Sequence, residues 1–195
     1  MGKTRLEALT DGVVAIIITI MVLEMKVPHG SDVAALKDSL PVFSAYVLSF
    51  VNVAIFWNNH HHMLHFASHV DGRVLWANLG LLFWLSLIPF VIRWVGEAGL
   101  VTLPAAAYGV VLVMAAVAYQ VLQHAIVARN GGAASALAHA LGSDIKGKAS
   151  MVCYAAAVPV AFLEPWLSIA LYVLVGCIWM VPDRRIERMV KPEEC

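Results

Sequence analysis

An uncharged, mostly apolar run from Gly12 to Leu23 constrains this chain more than any other stretch. It is framed by Arg5, Glu7 and Asp11 on one side and by Glu24 and Lys26 on the other. Ionisable groups beside lipid are expensive, so those at the edges of such a run face protein or a water-filled path. Within the run, Ile16, Thr19, Ile20 and Leu23 follow i, i+3, i+4, i+7 spacing and share one helical face. That face is bulky and aliphatic, with a single hydroxyl. In a bundle of identical helices it either packs as a dry core or narrows a pore.

Composition gives the class. Of 195 residues, 61% are hydrophobic and 13% are charged, whereas soluble domains carry roughly 25% charged residues. The chain therefore reads as an integral membrane protein of all-α class. Its zero net charge decides little, because the distribution of charge matters more than the sum. Lys3 and Arg5 before an apolar run resemble the start of a signal peptide. However, Glu7 and Asp11 interrupt the basic region and Glu24-Met25-Lys26 is no small-residue cleavage site, so the run is a retained first helix. Leu6 stands where a myristoylated Gly2 would need Ser or Thr. Cys153, Cys177 and Cys195 form no CxxC pair, and the first two lie in apolar runs. They read as small buried hydrophobes instead of redox centres or metal ligands.

A spanning helix needs about 20 mostly apolar residues. The candidates are residues 6–27, 40–66, 74–95, 101–128, 149–163 and 165–182. From Ala149 to Pro182 the only charge is Glu164. One helix of that length would reach roughly 50 Å at a rise of 1.5 Å per residue, well beyond a hydrocarbon core of about 30 Å. Glu164-Pro165 therefore marks a tight turn between two helices, and the expectation is a single domain over residues 1–195 with six transmembrane helices.

An even number of crossings puts both termini on one side. Lys3, Arg5, Arg73, Arg129, Lys146, Lys148, Arg184, Arg185, Arg188 and Lys191 then share that side, leaving Lys26, Lys37 and Arg93 opposite. By the positive-inside rule both termini are expected in the cytoplasm of a prokaryotic cell. Residues 28–39 form an extracytoplasmic loop with Pro28, Gly30 and Asp32 as turn residues. The cytoplasmic loop 129–148 opens on Gly131-Gly132 and continues into an Ala-rich stretch suited to a short surface helix. The Arg184-Arg185-Ile186-Glu187-Arg188 tail reads as a positive-inside stop signal, with contact to anionic headgroups as the other reading. No nucleotide-binding Gly-rich motif and no nucleic-acid signature is present.

The segment Arg5-Leu6-Glu7-Ala8-Leu9-Thr10-Asp11 resembles the Arg-x-x-x-Phe-Ser-Asp signature of the lysosomal potassium channels of the transmembrane protein 175 type and their prokaryotic relatives. Ala15-Ile16-Ile17-Ile18-Thr19 and Leu23-Glu24-Met25-Lys26-Val27-Pro28 fit the first helix of that family. Leu9 stands for the Phe, and Thr10 replaces the Ser while keeping its hydroxyl. The resemblance is strongest over residues 5–28 and continues more weakly around Trp57 to His62. It implies an inter-helix hydrogen-bond network that takes in Arg5, Thr10 and Asp11, with Trp57 and the paired His60 and His61 from the second helix.

The residues themselves leave alternatives. Arg5 and Asp11 point about 240° apart on a helix, so each either finds a partner on another helix or sits at a solvated helix end. His61, His65 and His69 recur at i, i+4, i+8 and so align along one helical face, a spacing that could build a metal site. No further carboxylate or Cys lies near them except Asp71, so structural hydrogen bonding is the preferred reading. Asn78, about one turn inside the third helix, either bonds across helices or faces its own interface. Its proposed partners are Arg5 and one of His60 and His61. Small residues crowd the fourth helix at Ala105, Ala106, Ala107, Gly109, Ala115, Ala116 and Ala118, and fit close packing.

One helix with a bulky seam encloses no path, so several copies around an axis are needed. The resemblance implies a homotetramer with helix 1 lining a central pore. No Thr-Val-Gly-Tyr-Gly loop is present, so selectivity has to come from side chains. The expected function is a weakly selective, potassium-permeable cation channel with its constriction at Ile16, Ile20 and Leu23, moderated by Thr19. It passes potassium and other monovalent cations and is neither an enzyme nor a cofactor protein. The rival is a metal-ion or proton transporter using the histidine cluster and Asp11. A membrane oxidase using the same histidines is a third reading, but such enzymes need several histidine boxes.

Overall fold

In this computed structural model the described residues are 2–25, 27–28, 30–142 and 144–180. Lys26, His29, Cys195 and the basic tail Arg184, Arg185, Arg188 and Lys191 lie outside them, as do the last two residues of the expected final helix. Among the described residues every regular element is helical: α1 Lys3–Leu23, α2 Val33–Asp38, α3 Leu40–His65, α4 Gly72–Ser86, α5 Ile88–Ala98, α6 Thr102–Arg129, α7 Ala136–Leu141, α8 Ile145–Val160 and α9 Pro165–Met180.

Four spans are long and apolar enough to cross a membrane: Lys3–Leu23, Leu40–His65, Gly72–Ala98 (α4 with α5) and Thr102–Arg129. The expected fifth and sixth helices appear as α8 and α9, each of 16 residues and thus about 24 Å long. The turn between them falls where Glu164-Pro165 predicts it, with Glu164 N–H bonded to the Val160 carbonyl and Pro165 opening α9.

Four boundaries differ from expectation. The fifth helix, expected over 149–163, runs from Ile145 to Val160, because the Asp144 carboxylate caps it early by accepting from Gly147 N–H at 3.2 Å. The segment 74–95 is not one continuous helix, because Pro89 carries no N–H and its ring opposes the carbonyl four residues back. The chain breaks at Leu87, whose N–H bonds to the Trp84 carbonyl in a tightened turn. The first helix stops at Leu23, four residues short, with Pro28 disfavouring helical backbone at the residue before it. The loop 28–39 contains α2, started by the Asp32 carboxylate accepting from Ala35 N–H at 2.9 Å.

The Ala-rich loop does form a short helix, α7, capped by Ser135 Oγ accepting from Ala138 N–H at 3.1 Å. It follows Gly131, whose φ of 109° is open to glycine. Asn130, at the end of α6, ties down the α3–α4 connection by accepting from the N–H groups of Ser68 and His69, both at 2.8 Å.

The long helix α6 is the hub. It packs on α4, α5, α8 and α9, while α1 packs on α3, α4 and α5. Tyr108, Leu112, Ala115, Leu122 and Ile126 of α6 are fully buried. Gly109 lets α9 approach closely: a Cβ there would collide with the Tyr172 hydroxyl and lie 2.9 Å from its ring carbon Cζ. Cys153 is half-buried and Cys177 is exposed on α9, not buried as expected, so the latter faces whatever surrounds the bundle.

Candidate functional site

The first helix divides cleanly into two faces. Leu6, Thr10, Val14, Ile17 and Met21 recur at three- and four-residue intervals and are buried. The other face carries Ile16, 57% exposed, with Thr19, Ile20 and Leu23, the last 81% exposed. Ile17, one residue from Ile16, is only 3% exposed. The aliphatic seam is thus an exposed face of α1 among the described residues. The Thr19 hydroxyl donates back to the Ile16 carbonyl at 2.9 Å, or to Ala15 at 3.0 Å. Its proton is turned into the helix, and the oxygen keeps its lone pairs for the outer side.

On the buried face, Thr10 meets Asn78 and His60. His60 Nε2–H donates to Asn78 Oδ1 at 2.8 Å, and Asn78 Nδ2 donates to Thr10 Oγ1 at 3.0 Å. All three side chains are buried, so α1, α3 and α4 are joined by polar bonds made where water does not compete. A separate bond runs at the exposed edge, where Trp57 Nε1 donates to Asp11 Oδ1 at 2.8 Å. His61 stacks on Trp57 with ring centroids 6.1 Å apart. His60 is therefore the histidine that reaches Asn78, and His61 packs outside that cluster.

Arg5 does not join Asn78 and His60. It is exposed and has no side-chain hydrogen bond or ion pair among the described residues. Its position on α1 explains this: Leu6 and Thr10 occupy the inward turn and Arg5 falls beside it.

The histidine alignment also changes. The helix ends at His65, where Phe66 is the cap, so His69 lies beyond it and no longer shares a face with His61 and His65. His65 instead stacks edge-on against Phe66 at 5.8 Å. Among the described residues no group of three or more His, Cys, Asp or Glu is placed to hold a metal ion.

Sequence reasoning missed a second buried polar cluster. Tyr108 Oη accepts from Ser49 Oγ at 3.1 Å and from Asn52 Nδ2 at 3.2 Å, and Tyr154 Oη donates to Asn52 Oδ1 at 2.9 Å. Ser168 Oγ donates to Tyr172 Oη at 2.9 Å, which donates on to the Ala105 carbonyl at 3.2 Å. The available signal was Asn52, an amide in mid-helix among apolar residues, which needs a partner on another helix.

A bundle with four helical spans long and apolar enough to cross a membrane fits a multi-pass membrane protein. The chain belongs to the TMEM175 family of potassium channels. The family model described as the endosomal/lysosomal potassium channel TMEM175 matches residues 5–89. A potassium channel of Chryseobacterium sp. is 48% identical over 191 residues, covering 98% of this chain and 99% of that one. The crystal structure of a lysosomal potassium-selective channel TMEM175 homolog from Chamaesiphon minutus superposes with a TM-score of 0.77 at 25% identity, over 94% of this chain and 97% of that one. The human endosomal/lysosomal proton channel TMEM175 is 38% identical over 99 residues, which is 45% of this chain and 19% of that protein.

Proposed function

We propose that four copies of this chain form a weakly selective, potassium-permeable cation channel, with the α1 seam lining the path. Six crossings per chain, with α8 and α9 as short spans, and both termini in the cytoplasm of a prokaryotic plasma membrane complete the reading. Short helices are accommodated by local thinning and by snorkelling of flanking side chains.

The observation that carries it is the exposure of Ile16, Thr19, Ile20 and Leu23 on a helix whose opposite face is bonded and packed within its own subunit. Aliphatic side chains facing an axis make a constriction that ions cross by passing a dewetted segment. Such a ring offers no fixed cage of oxygens, so discrimination between potassium and sodium is weak. The Thr19 oxygen, its proton already given to the backbone, supplies the lone pairs a passing cation needs. The bonds from Thr10, Asn78 and His60, and from Asp11 to Trp57, hold α1 in register against α3 and α4, so these residues position the path and do not line it. A potassium-channel relative that matches along 98% of the chain supports the channel part of this reading.

The deciding experiment is planar-bilayer recording of the purified protein under a potassium–sodium gradient. A cation current with a modest shift of reversal potential toward potassium is the expected result. Absence of any current, with the protein folded and assembled, would overturn the reading.

A further inference from the structure

A cavity of about 510 Å³ lies between α3, α6, α8 and α9, and shares no residue with the α1 seam or the Thr10–Asn78–His60 cluster. Its walls are mostly apolar and include the rings of Phe56, Tyr119 and Trp179. Three polar side chains on them have bonding capacity to spare. Gln123 is 7% exposed, and its amide makes no hydrogen bond among the described residues. That amide is not sealed off: its remaining surface is open to the cavity that Gln123 lines. Asp144 Oδ1 accepts from Gly147 N–H at 3.2 Å and Oδ2 from Gln120 Nε2 at 2.9 Å, without an ion pair among the described residues. A carboxylate has about four lone-pair sites, so about two remain. Asn59 Nδ2 donates to the Ile55 carbonyl at 2.8 Å, and its Oδ1 accepts nothing among the described residues. The depth is also informative. Helix α6, with 28 residues, is about 42 Å long, against a hydrocarbon core of about 30 Å. Gln123 and Asn59 lie about 9 Å before the ends of α6 and α3, and those ends adjoin through Asn130 and the N–H groups of Ser68 and His69. Both amides thus sit near the level where headgroups meet acyl tails.

We infer that this cavity binds an amphiphile with a primary-ammonium head, the head bonded to Asp144, Gln123 and Asn59 and the apolar body against Phe56, Tyr119 and Trp179. The site lies within one chain and does not depend on how many copies assemble. An ammonium group has three N–H donors and no acceptor, which complements a carboxylate and two amide oxygens. It also supplies the opposite charge that a carboxylate near lipid calls for. Capping α8 accounts for the bond from Gly147 to Asp144, but leaves the buried Gln123 amide without a partner, which is costly. The volume falls within the range of about 300–1,000 Å³ common to ligand sites. Lys146 lines the cavity as well, with Nζ over the Trp179 ring at 4.6 Å from its centroid, and stays constant in the variants below. Two sources carry such a head: phosphatidylethanolamine of the bilayer and a free long-chain amine. The lipid also brings oxygens for Gln123 Nε2 to bond, which an alkylamine lacks. Phosphatidylcholine carries the same charges without any N–H, and so isolates the hydrogen bonds.

Native mass spectrometry of the full chain, mixed in detergent with equal amounts of phosphatidylethanolamine and phosphatidylcholine bearing the same acyl chains, tests this. The wild type should retain phosphatidylethanolamine about tenfold over phosphatidylcholine, the step that one hydrogen bond to a charged group supplies. Asp144→Asn keeps the cap, since Asn caps a helix as well as Asp, and Asn tolerates the left-handed backbone at φ 42°. It should bring the two lipids level. Gln123→Leu removes the amide and should also cut the preference. Dodecylamine, offered without lipid, is the second arm. If the wild type shows no lipid preference but binds dodecylamine, and Asp144→Asn loses that binding, the site stands and its source is a free amine. No lipid preference together with amine binding indifferent to Asp144→Asn would overturn the inference. A preference for phosphatidylethanolamine that Asp144→Asn retains would overturn it too, because the lipid then binds elsewhere. If Asp144→Asn fails to fold by circular dichroism, Gln123→Leu decides both arms.

Discussion

Ile16 and Ile17 are adjacent, chemically identical and opposite in environment, 57% and 3% exposed. A helix turns by about 100° per residue, which is enough to move one side chain from the seam into the packing of α1 against its neighbours. Ile16→Asn should wet the proposed constriction, passing more current and discriminating less between potassium and sodium in bilayer recordings. Ile17→Asn should instead lower stability, because it buries an amide with no partner. Equal effects of the two on current and selectivity, with folding preserved, would mean that the seam is misassigned. Asn78 offers a second test at this scale. It bonds Thr10 and His60 at once, so Asn78→Leu leaves both without their partner, at a cost of about 1–3 kcal/mol. Unfolding in micelles should report that loss, and the exposed Asn58→Leu should not.

Element by element, the sequence was readable where a local rule acts. Helix period separates Ile16 from Ile17, Glu164-Pro165 marks the α8–α9 turn, and the Ala-rich stretch after Gly131-Gly132 becomes α7. Pro89 also announced the α4–α5 break, but reading residues 74–95 by hydropathy alone passed over it. The rest depends on contacts remote in sequence. Tyr154 finds Asn52 across 102 residues and Tyr108 finds Ser49 across 59, pairings no local pattern encodes. Similarly, alignment of His69 with His61 required α3 to continue past His65, and it does not. The fit of α6 to α9 is a property of two elements at once. Gly109→Ala would drive a methyl into the Tyr172 hydroxyl, displacing its bond to the Ala105 carbonyl, and should cost about 1–3 kcal/mol in thermal unfolding. Adding Tyr172→Phe removes the oxygen that collides and should return part of that loss, although the ring carbon remains 2.9 Å away. A double variant no more stable than Gly109→Ala would place the strain elsewhere.

For the molecule as a whole, the decisive fact is that α1 is finished on one side and bare on the other. Its inward face has hydrogen bonds to α3 and α4 and apolar packing, while Ile16, Ile20 and Leu23 are 57%, 40% and 81% exposed among the described residues. Lipid tails are as apolar as these side chains, so exposure alone does not force association; close packing and polar contacts between copies must supply it. Arg5 is the residue best suited to such a contact, since it is charged, exposed and without a side-chain partner among the described residues. Native mass spectrometry from detergent should find four chains. Arg5→Ala should reduce the tetramer fraction while leaving unfolding of the single chain close to wild type, because no described intrachain bond is lost. Asp11→Ala differs, since it removes the acceptor of Trp57 Nε1 and should weaken both the chain and its assembly. A wild type that stays a monomer or dimer at every concentration would leave the seam facing lipid and end the case for a central path. An Arg5→Ala variant that assembles fully would keep the tetramer but assign Arg5 to the headgroups instead.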